Sequence, residues 1–230
     1  MTVTAKPTKL RLEHLRSLEP ITDNQGKAFE AFKKDYHLVL SGSAGSGKTF
    51  LSAYLAMEQV LDKNNQYDKL IIIRSIVPTR DIGFLPGTEE EKKEAYMLPY
   101  MEIMNELFED KGAFGKLVAQ GNLEFITTSF IRGTTLRNAI VLVDEMQNLN
   151  FHELDSVITR IGENCRIIFS GDYYQTDFTQ KKDQEGIIKF LSILELMKKF
   201  KHIEFTWKDI VRSDLVRDYI VTKEMLESNS

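Results

Sequence analysis

A glycine-rich loop, GSAGSGKT at residues 42–49, follows a short apolar run at 37–41 and opens a stretch of helical spacing. In that stretch, 49–61, the apolar positions are Phe50, Tyr54, Met57 and Leu61. The loop fits G-x-x-x-x-G-K-[ST], and strand–loop–helix is the context this motif requires. No other feature limits the fold as much, because a strand that feeds a helix in this way belongs to a layered α/β sheet. The chemistry follows from the backbone. Glycines let successive N–H groups converge on one anion, and the helix adds its positive N-terminal end. Gly42, Ser43, Ala44, Gly45, Ser46, Gly47, Lys48 and Thr49 are therefore candidate nucleotide-binding residues. Lys48 is expected to reach the β- and γ-phosphates and Thr49 to offer a hydroxyl to Mg²⁺.

The rest of the chain alternates β-rich runs with longer helical ones. Residues 69–74 (KLIIIR) and 139–143 (AIVLV) are continuous apolar runs, as for strands buried on both faces. Residues 123–127, 166–169 and 202–206 read as further strands. Thr88, Glu89, Glu90 and Glu91 form a capping box opening a helix. Pro99 is expected to break that helix and to restart it in a new first turn. Phe151, Leu154, Ile158 and Ile161 step by three and four, with Asn150 as N-cap and Glu153 at the third helical position. Ile187, Phe190, Leu191 and Leu194 step likewise. The expected fold is α/β: one domain, a mostly parallel sheet, helices on both faces.

Composition narrows the function classes. The chain has 230 residues, close to one domain at about 150 residues each. Net charge is −4, which argues against a surface that coats nucleic acid everywhere but leaves a local basic channel open. The single cysteine, Cys165, allows no internal disulfide, and four scattered histidines make a structural zinc site an unpromising reading. No apolar run reaches the ~18 residues of a membrane helix. The charged N-terminus lacks the apolar core of a signal peptide. The cytoplasm is the expected location, with no membrane partner.

Residues 141–145 (VLVDE) are an apolar run ending in two carboxylates. Parallel sheets bind ligands at the carboxyl ends of their strands, so Asp144 is expected beside the phosphate loop as a Mg²⁺ ligand. Glu145 is suited to take a proton from an attacking water. The bland alternative is two solvated acids at a strand end. Residues 167–175 (IIFSGDYYQ) run from a strand into a polar loop, where Gln175 could sense a γ-phosphate or orient water. Arg160 and Arg212, read as lying in helical or near-helical segments, are candidates for a transition-state arginine or for plain surface ion pairs. Arg74, Arg80 and Arg132 are similar candidates for phosphate or a nucleic-acid strand.

Together these motifs resemble the PhoH family, phosphate-loop ATPases similar to superfamily 1 helicase cores. The resemblance runs over residues 20–219. It rests on PITDNQ at 20–25, the phosphate loop, IGFLPG at 82–87, LPY at 98–100, IRG at 131–133, DEMQN at 144–148, TRIG at 159–162, GDYYQ at 171–175 and DIVR at 209–212. Thr134 stands where the family usually has a second arginine, and Ser213 where it usually has histidine. The resemblance implies a RecA-like core that hydrolyses ATP with Mg²⁺, with Gln25 reading adenine. It also implies a homo-oligomer, with a hexameric ring as one form, and RNA or single-stranded DNA as a partner.

The expected organisation is an N-terminal arm at 1–19, the ATPase domain at 20–222 and a tail at 223–230. The arm is too short for the additional domains of some relatives. A single core would need neighbouring subunits to move a strand. Three readings stay open: an ATPase, a nucleic-acid motor, and a nucleotide-controlled switch with little turnover. A small-molecule kinase fits less well, since a second carboxylate beside Asp144 suits water as the acceptor.

Overall fold

The computed structural model describes residues 8–75, 89–131, 133–172 and 181–227. In chain order the elements are α1 (Asp23–Lys33), β1 (His37–Gly42), α2 (Lys48–Leu61), β2 (Lys69–Arg74), α3 (Glu89–Leu107), α4 (Ala113–Ala119), β3 (Leu123–Thr127), β4 (Ala139–Val143), α5 (Phe151–Ile158), β5 (Cys165–Ser170), α6 (Lys181–Leu196), β6 (Phe200–Phe205) and α7 (Asp214–Glu227). Six strands form one sheet in the order β3-β2-β4-β5-β1-β6. Every pairing is parallel, where the sequence predicts a mostly parallel sheet. The described residues form one α/β domain, in which β5 separates the phosphate-loop strand β1 from the acidic strand β4.

Strand periodicity explains why the sheet is covered twice. Successive side chains point to opposite faces. Leu38, Leu40, Leu70, Ile72, Ile140 and Leu142 join one core with α1, α2, α3 and α4. Val39, Ile71, Ile73, Val141 and Val143 join the other with α5 and α6. Unbroken apolar runs are what such strands require, and this is why β2 and β4 are readable without a structure.

Several helical expectations need correction. Pro99 does not break its helix; α3 runs continuously through it. The ring removes one backbone donor, but Tyr100, Met104 and Leu107 beyond it are all buried, and that packing outweighs the local cost. Ile161 falls outside α5, which ends at Ile158; Ile161 instead bridges to Leu136. Asn150 and Glu153 do form the capping box. Three helices escaped the sequence reading: α1, α4 and α7. Thr88, the 82–87 loop, Arg80, Arg132 and Gln175 lie outside the described residues.

The segment before α1 lies against α3 and α4. Leu10 is buried, its N–H meets Gln120 Oε1 at 2.6 Å, and Arg16 N–H meets the Leu107 carbonyl at 2.9 Å. Among the described residues no helix is long and apolar enough to cross a membrane.

The registers bring several strand ends level. Leu40 faces Ser170, Val143 faces Phe169, and Ile73 faces Val143. The loops leaving β1, β2, β4 and β5 therefore meet along one carboxyl edge.

Candidate active site

The phosphate loop leaves β1 through Gly42, which lies beside Phe205 of β6. A Cβ at Gly42 would collide with the Phe205 carbonyl oxygen, and φ there is +105°, so only glycine fits. Ser43 N–H donates to the same carbonyl at 3.0 Å. Lys48, at the start of α2, is buried. Its Nζ donates to the carbonyls of Gly42 (2.7 Å) and Ser43 (2.8 Å) and to Ser46 Oγ (3.3 Å). The ammonium thus lies over the loop's own backbone. Ser46 Oγ donates in turn to the Ser43 carbonyl at 2.8 Å.

Thr49 and Asp144 meet. Thr49 Oγ1 donates to Asp144 Oδ1 at 2.9 Å, joining the first turn of α2 to the end of β4. Asp144 N–H is held by the Ile73 carbonyl at 3.0 Å. Its second carboxylate oxygen accepts a hydrogen bond from the Tyr100 hydroxyl at 2.8 Å. Tyr100 comes from α3 and is fully buried. Burial, then the Asp144 charge, holds its phenol pKa well above the ordinary value of 10.0, so the hydroxyl keeps the proton it donates. A hydroxyl and a carboxylate side by side are hard oxygen ligands of the kind Mg²⁺ takes.

Glu145, next in the chain, has a left-handed backbone, with φ +52°. Gln147 Nε2 donates to Glu145 Oε2 at 2.5 Å. Burial and then the Asp144 charge raise the Glu145 pKa, opposed by Arg74, Gln147 and Lys48. Arg74, at the end of β2, lies among the same groups. Burial disfavours its charge, but Tyr100, Glu145 and Asp144 outweigh this and raise its pKa. Its guanidinium carbon stands 5.4 Å from the centre of the Tyr96 ring.

The other predicted residues are dispersed. Arg212 lies in a bend two residues before α7, a near-helical place as read from the sequence. It rests on the phosphate loop of its own chain: its Cγ is 3.0 Å from where a Cβ on Gly45 would be. Val211 N–H donates to the Gly45 carbonyl at 3.1 Å. Arg160 also lies outside helix, in the turn after α5. Its carbonyl accepts the Leu136 N–H at 2.9 Å, at the amino edge of the sheet, away from the phosphate loop. Its Nε is buried with no hydrogen-bond partner. Gln25 is buried in the first turn of α1, and its Oε1 accepts the Ile21 N–H at 2.9 Å. Asn24 ties that turn to Asp209 at 2.8 Å, near the Val211 segment. Arg74, a candidate for phosphate or a nucleic-acid strand, stands among the acids at the end of β2, whereas Tyr100 and Gln147 were given no role at the nucleotide by their residue types. Tyr100 and Gln147 were visible only as letters inside LPY and DEMQN.

A family model described as "PhoH-like protein" matches residues 17–223. A PhoH-like protein of Synechocystis sp. is 33% identical over 210 residues, covering 91% of this chain and 63% of that one. Protein PhoH2 of Bacillus subtilis is 36% identical over 171 residues, covering 72% of this chain and 38% of that one. This chain thus spans less than two thirds of either relative. Among solved structures, the large terminase of a thermophilic bacteriophage aligns with a TM-score of 0.49 at 15% identity, covering 87% of this chain and 50% of that chain.

Proposed function

The chain belongs to the PhoH-like protein family, and from that premise we propose that it is a Mg²⁺-dependent ATPase. One observation carries the reading: Thr49 of the phosphate loop is hydrogen-bonded to Asp144 at 2.9 Å, with a second carboxylate, Glu145, next in the chain. A lone anion-binding loop needs no such pair of acids.

The loop N–H groups of residues 42–49 and Lys48 hold the phosphates. Thr49 and Asp144 hold Mg²⁺, which when bound draws charge from the phosphate oxygens. Tyr100 keeps Asp144 oriented. Glu145 takes a proton from water as the water oxygen attacks the γ-phosphorus and the bond to the β-phosphate oxygen breaks. The raised basicity of a buried carboxylate suits that role. Arg212, beside its own phosphate loop, serves the site in cis. Arg160, at the far edge, serves only across a subunit boundary, in a homo-oligomer. Gln25 reads adenine, and Gln175 follows the γ-phosphate. RNA or single-stranded DNA is the proposed partner, met along the carboxyl edge where Arg74 lies.

The test is steady-state ATP turnover with Mg²⁺, with and without single-stranded RNA. Glu145→Gln is expected to lower kcat by roughly 10²–10⁴-fold, and Lys48→Ala to abolish turnover or tight nucleotide binding. RNA is expected to raise kcat, with a steep loss at higher salt. Equal, slow turnover in the parent and Glu145→Gln would overturn the enzyme reading in favour of a nucleotide-held switch. Turnover that needs Glu145 but ignores RNA would remove the nucleic-acid partner alone.

A further inference from the structure

The side chain of Gln147 is buried between two loops and uses both ends of its amide. Nε2 donates to Glu145 Oε2 at 2.5 Å. Oε1 accepts the Asp172 N–H at 3.1 Å. These partners dictate which way the amide faces, because a carboxylate needs an N–H and a main-chain N–H needs an oxygen. No other side chain of this length offers both. Glutamate would oppose one carboxylate to another. Asparagine is one methylene shorter.

The other side of the clamp is glycine. A Cβ on Gly171 would collide with Gln147 Oε1 and lie 2.9 Å from the Met146 nitrogen. Gly171 N–H also donates to the Leu40 carbonyl at 3.1 Å. Leu40 lies in β1, two residues before Gly42. The turn at Gly171 and Asp172 therefore touches both the strand that feeds the phosphate loop and the amide that holds Glu145.

We propose that Gln147 is a positioning residue: its clamped amide sets where the Glu145 carboxylate stands and ties that place to the Gly171–Asp172 turn. This rests on Glu145 being the base. A shift of the turn moves Oε1, the rigid amide carries it to Nε2, and the carboxylate follows. A displacement of the Gly171–Asp172 turn thereby reaches the group that activates water.

Gln147→Ala and Gly171→Ala are compared with the parent for kcat, KM and affinity for a fluorescent ATP analogue. Each is expected to lower kcat about tenfold to a hundredfold, the effect of a misplaced reacting group. KM and analogue affinity should stay within about twofold, since the phosphate loop is untouched. In a Glu145→Gln background, single-turnover rates should show no further loss from Gln147→Ala, because the residue acts through that carboxylate. Gln147→Met, of similar size, serves if Gln147→Ala does not fold.

Unchanged kcat in Gln147→Ala overturns the proposal. So does an equal loss in the Glu145→Gln background, or a KM rise that accounts for the whole effect. Parent-like turnover in Glu145→Gln removes the base itself, and the proposal falls with that reading rather than through Gln147.

Discussion

Tyr100 shows how much one buried hydroxyl can decide. It supplies the second hydrogen bond to Asp144, so that one carboxylate oxygen faces Thr49 and the other faces α3. Tyr100→Phe keeps the ring and removes only that donor. A hydrogen bond to a charged group contributes about 1.5–3 kcal/mol, and denaturant unfolding should show a loss of that order. The Mg²⁺ concentration for half-maximal turnover should rise about tenfold, as when an outer partner of a metal ligand is removed. A magnesium titration of the variant checks both the direction and the size. At this scale the sequence was half legible. The residues proposed to touch phosphate follow from spacing, because the motif sets backbone N–H groups and one lysine at fixed offsets. The residues that orient the acids do not: a tyrosine 44 positions from its aspartate is marked by nothing local.

Elements succeed or fail on what surrounds them. Strands β2 and β4 were readable because burial on both faces demands unbroken apolar sequence. Helix α7 was not, because its apolar stripe faces outward: Leu215, Tyr219 and Leu226 are all exposed. Its inward contact is narrow, with Ile220 Cδ1 3.2 Å from where a Cβ on Gly45 would be. Helix α3 carries the opposite lesson. Pro99 is exposed on it, and its ring serves no buried contact. Pro99→Ala restores a backbone donor in mid-helix and should stabilise the protein by roughly 1–3 kcal/mol. Urea unfolding should show a higher midpoint with an unchanged slope. A midpoint that stays put or falls would mean that the helix depends on the bend a proline imposes.

Across the whole molecule, two cores share one sheet, so neither can melt without exposing the other. Unfolding is expected as a single transition. Mg²⁺–ATP should raise its temperature, since a ligand at 100 times its Kd adds about 2.7 kcal/mol to stability. For a domain of this size that is about 5–10 °C, and Lys48→Ala should lose the shift. A thermal melt with and without nucleotide checks this, whatever the rate of turnover. Sequence by itself determined the layers and the place of the phosphate-loop motif: periodicity shows which strands are covered twice, and GSAGSGKT follows β1 and opens α2. It could not determine the order of the strands. Only the tertiary structure put β5 between β1 and β4, and with it the Gly171–Asp172 turn between Leu40 and Gln147. The physical reason is distance along the chain. Local patterns record how a residue meets its near neighbours, whereas contacts across 25 positions, as between Gln147 and Asp172, exist only once hydrophobic faces have chosen their partners.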